Sequence, residues 1–232
     1  MKNILFLCLI LLVSLNQMSF AQFNGKQFIS GSAGLNFYNA KVQSGTPTNG
    51  YGYQFDILLG TFKTETKATG WKLSSTLSGV KNVYTIYPNG VGKDFAKSGI
   101  NHLEFGVGRF WQFYKHFNAK TGIFAGPDVN LSYQRGETYS TSSNVLSLLR
   151  DRTDKISLSA GLSAGLYYQF SAKWWLTASL AFSTPVSIDY SFVTNDNITS
   201  GDQHKNQQLH YRFSPEFSFP SVGFGLRYFF NR

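Results

Sequence analysis

From Gln27 to the C-terminus the chain alternates apolar residues with small polar ones, a period of two that commits it to β-strands. The stretch from Ile156 to Phe170 is the clearest. One face carries Ile156, Leu158, Ala160, Leu162, Ala164, Leu166, Tyr168 and Phe170, and the other Ser157, Ser159, Gly161, Ser163, Gly165, Tyr167 and Gln169. Between Phe117 and Tyr133, Ile123, Ala125, Val129 and Leu131 stand against Gly122, Phe124, Gly126, Asp128 and Asn130. The segment Tyr51 to Leu59 sets Tyr51, Tyr53, Phe55 and Ile57 against Gly52, Gln54, Asp56 and Leu58.

Alternation alone also fits a soluble barrel or sandwich, and the polar face decides between these and a membrane barrel. A soluble barrel turns long polar side chains to water and keeps an apolar core. Here the polar face is mostly Gly, Ser and Asn, which suits a narrow, hydrogen-bonded lumen beneath a lipid-facing wall. Charged residues are 14% of the chain, against ~25% in a typical soluble domain. Aromatics reach 17%, an aggregation hazard for a surface in water but not for one in lipid.

The alternation predicts strands at about 27–38, 51–62, 70–81, 99–112, 117–134, 155–170, 174–192 and 208–230. The last is irregular. Phe213, Phe217 and Phe219 fall on odd positions and Val222, Phe224, Leu226, Tyr228 and Phe230 on even ones, so a bulge near Pro220 is expected. Short connections at 64–69, 113–116 and 171–173 alternate with long polar ones at 39–50, 82–98, 135–154 and 193–207. Val145–Arg150, in the third of these, suggests a short helical turn. Three turns and four loops are the count for an all-β, eight-stranded antiparallel up-and-down transmembrane β-barrel with both termini on the short-turn side, the periplasm. Trp71, Trp111, Trp174 and Trp175 all lie beside short turns, joined by Tyr228 and Phe230. Tyr51, Tyr133, Tyr190 and Tyr211 lie toward the long loops. Two aromatic belts of this kind mark membrane interfaces.

The N-terminus reads as an export signal. Lys2 precedes the apolar run Ile4 to Leu15, and Ser19-Phe20-Ala21 supplies the small residues of a cleavage site, so 1–21 is expected to be removed and 22–232 to form the barrel domain. Cys8, the one cysteine, lies within that apolar run, which argues against lipidation and leaves no thiol for a disulfide or metal site. No second apolar stretch is long enough for a transmembrane helix.

The ending Val222-Gly-Phe-Gly-Leu-Arg-Tyr-Phe-Phe230 resembles the closing strand read by outer-membrane barrel assembly machinery, although Asn231 and Arg232 follow the last aromatic. With Phe105-Gly-Val-Gly-Arg-Phe and Gly122-Ile-Phe-Ala-Gly, it is similar to the small outer-membrane β-barrel domain family, the OmpX/OmpA-like group, of the kind common in Bacteroidota. The resemblance implies the outer membrane as location, with its lipids, lipopolysaccharide and the assembly machinery as partners. It carries no activity.

Seven charged residues are placed inside: Asp56, Lys72, His102, Glu104, Lys120, Asp128 and Arg227. A turn centred near Lys115 would set His102 opposite Asp128, with Glu104 on the same face. Such a trio can be read as an acid–base centre, but the favoured reading is a lumen network in which buried charges pair. No nucleophilic serine is placed beside His102. The strand lacks the His and Ser two apart of a lipid A deacylase, and the chain is short for an omptin-type protease. His204 and His210, with Asp202 nearby, flank a loop without ligand spacing, so no metal or cofactor is expected.

The formal charge of +9 does not mark a nucleic-acid binder, because the basic residues form no stripe with interleaved aromatics. Lys63, Lys67, Lys115 and Lys173 gather at the short turns, where anionic headgroups would lie. Three functions follow in order of preference. The first is a non-enzymatic barrel with a structural, adhesive or partner-binding role through long extracellular loops. The second is a narrow porin-like channel for small solutes, and the third an outer-membrane hydrolase.

Overall fold

The computed structural model describes residues 23–40, 48–142, 144, 146–214 and 223–230. The export signal and the bulge expected near Pro220 lie outside the described residues. Nine strands are described: β1 (Gln27–Ala40), β2 (Thr48–Thr64), β3 (Lys67–Ile86), β4 (Lys93–His116), β5 (Thr121–Thr141), β6 (Leu148–Gln169), β7 (Trp174–Asn197), β8 (Gln203–Phe213) and β9 (Gly223–Phe229). Consecutive strands from β1 to β7 pair antiparallel. The sheet then closes through β9, which bonds β7 from Trp174↔Tyr228 to Ser179↔Gly223 and β1 from Phe28↔Phe229 to Gly31↔Leu226. The result is an eight-stranded up-and-down ring.

The expected single last strand is two. β8 lies along the far half of β7, from Val186↔Phe213 to Asp196↔Gln203, and β9 along its near half. This division explains the two phases of the sequence. Leu209, Tyr211 and Phe213 are exposed on odd positions of β8, and Phe224 and Leu226 on even positions of β9.

The strands are longer than the alternation suggested, most of all at the long-loop end. Three of the connections expected as long loops are mostly strand, with 87–92, 142–147 and 198–202 left between β3 and β4, β5 and β6, and β7 and β8, while most of the first, 39–50, lies outside the described residues. Leu148 to Arg150, expected in a helical turn, begin β6. Polar sequence had hidden these extensions, because a strand pair that clears the membrane is wetted on both faces and loses the apolar alternation. Gly90 and Gly201 turn two of the tips at φ of 75° and 81°, a region where only glycine is free of strain. At the other end β2 and β3 are joined by Glu65 and Thr66 alone.

Between the two ends the outer face is apolar. Leu73, Val107, Leu131, Leu162, Leu166, Ile188 and Leu226 are all exposed. A wall of this kind is insoluble in water, and β9 joins the two ends of its sheet, so the ring is a transmembrane barrel. A strand of 24 residues such as β4 runs roughly 80 Å along its length and rises roughly 55 Å at a 45° tilt, twice the ~25 Å apolar band. The remainder stands clear as a crown of hairpins. Leu162→Arg, near mid-wall, is expected to destabilise the folded barrel by about 2–4 kcal/mol, read by denaturant titration in lipid vesicles.

Candidate functional site

The lumen is built from the inward phase of the strands, and its floor is aromatic. Phe28, Phe62, Phe110, Tyr114, Phe124, Tyr167, Trp175 and Phe229 are buried in one cluster at the short-turn end. Trp175 stacks on Tyr167 with centroids 4.1 Å apart and meets Phe229 edge-on at 4.7 Å. Small residues on neighbouring strands make room for the rings: a side-chain carbon on Gly165 would fall 2.6 Å from Phe124 Cζ. Phe23, ahead of β1, completes the floor, packing against Trp175 at 5.1 Å and stacking on His116 at 5.4 Å. The Glu65 carboxylate in the tight turn holds that segment by accepting the backbone N–H groups of Phe23 and Asn24, each at 2.9 Å.

Arg227 lies on top of this floor, 1% exposed. Its guanidinium sits 4.1 Å over the Phe28 ring and 5.6 Å from those of Tyr114 and Trp175. It donates to Gln112 Oε1 at 3.1 Å and to the Tyr114 hydroxyl, which in turn donates to Gln112 Oε1 at 2.5 Å. Desolvated cation–π contacts are worth about 2 kcal/mol, so the rings offset part of the cost of burying the charge.

Above Arg227 is a cavity of about 220 Å³. Its walls include Ser30, Leu58, Phe110, Phe124, Ser163 and Thr177, with Asp56, Lys72 and Asp128 among the lining. Lys72 Nζ lies 3.8 Å from Asp56 Oδ1. Gly161 leaves room for the Asp128 carboxylate, whose Oδ1 would lie 2.7 Å from a side-chain carbon there. Higher still, His102 Nε2 lies 3.9 Å from Glu104 Oε2, and His102 Nδ1 3.5 Å from Gln134 Nε2. Water reaches these upper groups, since the side chains of Lys72 and Glu104 keep a third of their surface.

Of the seven charged residues expected inside, six line the lumen, but as separate groups. Asp56, Lys72 and Asp128 surround the cavity, Arg227 floors it, and His102 and Glu104 pair above. The expected opposition of His102 and Asp128 is incorrect. His102 pairs with Gly136, and Asp128 with Phe110. β4 runs on to His116 and the turn occupies 117–120, which moves the register by eight residues. No acid–base trio is assembled. Lys120 is corrected too: it is exposed on that turn.

The belt residues also divide. Trp71, Trp111, Trp174 and Phe230 are exposed on the outer wall, with Tyr228 packed 4.9 Å from Trp174. Trp175 is wholly buried in the floor, because adjacent residues of a strand face opposite ways. The floor itself was missed by sequence reasoning, although Phe124 and Tyr167 signal it by standing among glycines and serines on the inward phase. No cluster of three or more metal-binding side chains occurs among the described residues.

The crown is laced by polar contacts. Arg150 donates from Nε to Asp196 Oδ2 at 2.8 Å and lies 3.5 Å from Glu137, joining β5, β6 and β7. Gln203 on β8 donates to Asp196 Oδ1 at 2.8 Å. Asp154 accepts Tyr133 Oη at 2.6 Å and Arg152 Nε at 2.8 Å. On the other side Tyr84 packs 6.0 Å from Tyr139, whose ring also receives Lys97 Nζ at 5.2 Å.

No known family model matches the chain, and no curated protein matches it. Among solved structures the chain is similar to the outer membrane protein OprG from Pseudomonas aeruginosa, at 11% identity and a TM-score of 0.49, over 92% of this chain and 99% of that one.

Two measurements check the site. Trp175→Ala should cost about 3–5 kcal/mol in unfolding titrations, and Trp174→Ala, on the wall, clearly less. In the crown, hydrogen bonds from Arg150 and Gln203 hold the Asp196 carboxyl below its ordinary value of 3.8. Its stabilising contribution is therefore full above that value and lost as pH falls through the lowered one. Amide exchange at 194–197, corrected for intrinsic rates, should keep constant protection from neutrality to about pH 5 and lose it in stronger acid, with Asp196→Asn removing the step.

Proposed function

We propose that this protein is an outer-membrane surface barrel that works without catalysis, by presenting its hairpin crown to a partner or surface outside the cell. The observation that carries the reading is the pairing of strands far beyond the apolar wall into a cross-linked crown. Flexible loops would suffice to connect strands, whereas four strands tied through Arg150, Glu137, Asp196 and Gln203 form a fixed surface. A fixed surface loses less conformational entropy when it binds.

The reading of an outer-membrane location is supported by the export-signal pattern at 1–21, the apolar wall with its aromatic girdles, and the closing strand's resemblance to the OmpX/OmpA-like family. In this reading the short turns and both termini face the periplasm, with Lys63, Lys67, Lys115 and Lys173 against lipid headgroups. The assembly machinery engages the 222–230 segment, and lipopolysaccharide surrounds the outer half of the wall. The aromatic floor weighs against the channel reading, since it fills the base of the lumen. The separation of Asp128 from His102 weighs against the hydrolase.

The test replaces residues 82–97 and 137–152 with tight turns, shortening two hairpins to the membrane rim. The variants are expected to keep the heat-dependent gel migration of a folded barrel while losing surface binding and the associated envelope phenotype. Folded variants that keep both would refute the reading. Planar-bilayer recordings of the intact barrel are expected to show no conductance steps.

A further inference from the structure

We propose that the cavity above Arg227 is a binding site for a small organic monocarboxylate, with the guanidinium as its anchor. Three observations converge on it. The first is a buried charge without a direct ion pair. Arg227 is almost wholly buried, yet among the described residues it makes no ion pair with a carboxylate. Its partners are the neutral Gln112 and Tyr114 and three aromatic faces, and its Nε has no acceptor. A buried guanidinium leaves a donor unused only at a cost, and a carboxylate is the planar acceptor that its fork matches.

The second observation is the shape of the space. The cavity has about 220 Å³ directly above this group, enough for a small molecule. The floor closes it from below, while the partly exposed Lys72 and Glu104 show that water reaches the lumen above. A ligand that enters from the crown therefore meets Arg227 in the cavity lining.

The third is the chemistry of the walls. Leu58, Phe110 and Phe124 provide apolar contact for a short carbon skeleton, and Ser30, Ser163 and Thr177 provide hydroxyls. Asp56 and Asp128 also line the cavity, and only Asp56 is paired with Lys72. Their charge disfavours a dianion such as phosphate more than a monoanion, which selects the carboxylate class. This site is independent of the crown, so either assignment can fail alone.

The experiment is calorimetric titration of the full mature barrel in zwitterionic detergent at low salt, with butyrate, benzoate, neutral butyramide and inorganic phosphate as probes. Saturable binding of the two carboxylates is expected, with butyramide and phosphate weaker by about tenfold or more. Arg227→Gln should weaken carboxylate binding by a similar factor. Ser163→Phe, which fills the cavity and leaves the partners of Arg227 in place, should do the same. If Arg227→Gln fails to fold, as read by heat-dependent gel migration, Ser163→Phe decides. The proposal is overturned by folded wild-type protein that binds neither carboxylate, by butyramide or phosphate binding as tightly, or by unchanged carboxylate affinity in folded Ser163→Phe.

Discussion

The structure depends on β9, seven residues that bond β7 on one side and β1 on the other. A sheet in hydrocarbon cannot leave an edge open, because each unpaired N–H or C=O costs several kcal/mol where no water can replace the partner. β9 removes that edge at the short-turn end. Its inward side chains, Arg227 and Phe229, complete the floor of the lumen. Closing the ring and filling its base are thus one event, made by alternate residues of one short strand.

From that base upward the interior changes character in a fixed order. Stacked aromatics come first, then a buried cation resting on them, then a small mixed cavity, then partly wetted charges. Each layer conditions the next. The rings make a low-dielectric seat in which a guanidinium is costly unless its faces and donors are occupied, and Phe28, Tyr114 and Gln112 occupy most of them. The groups above stand as separate pairs, Asp56 with Lys72 and His102 with Glu104, rather than forming a reactive centre. The crown follows a different logic, since both of its faces meet water. Its order comes from charge-assisted hydrogen bonds across strands, which matter more where several share one network than as isolated surface pairs.

Much of the architecture was legible in the sequence because lipid imposes a strict alternation on any strand that crosses it. Ile156 to Phe170 could be assigned to two faces before any contact was known, and the ring of eight strands followed from the order of short and long connections. The same reasoning failed where that constraint lapses. Beyond the wall, Arg135 to Thr141 and Leu148 to Asp154 have no lipid to sort their side chains, so strands looked like loops. Trp174 and Trp175 looked alike by their nearness to a turn, although a strand must send neighbours to opposite faces.

By itself the sequence determined the strand class, the lipid-facing surface, the number of staves in the ring and which charged residues point inward along most strands. These are local properties, set by the two-residue period and by turn chemistry within a few positions. Only the tertiary structure decided which of those inward residues meet. The eight-residue change of register between β4 and β5 parted His102 from Asp128. The ring's closure brought Arg227 against Phe28, Gln112 and Tyr114, each more than a hundred residues away in sequence. The physical reason is that the period fixes a side chain's face but not its height, and height in a barrel is set by the cumulative register of every strand pair around the ring.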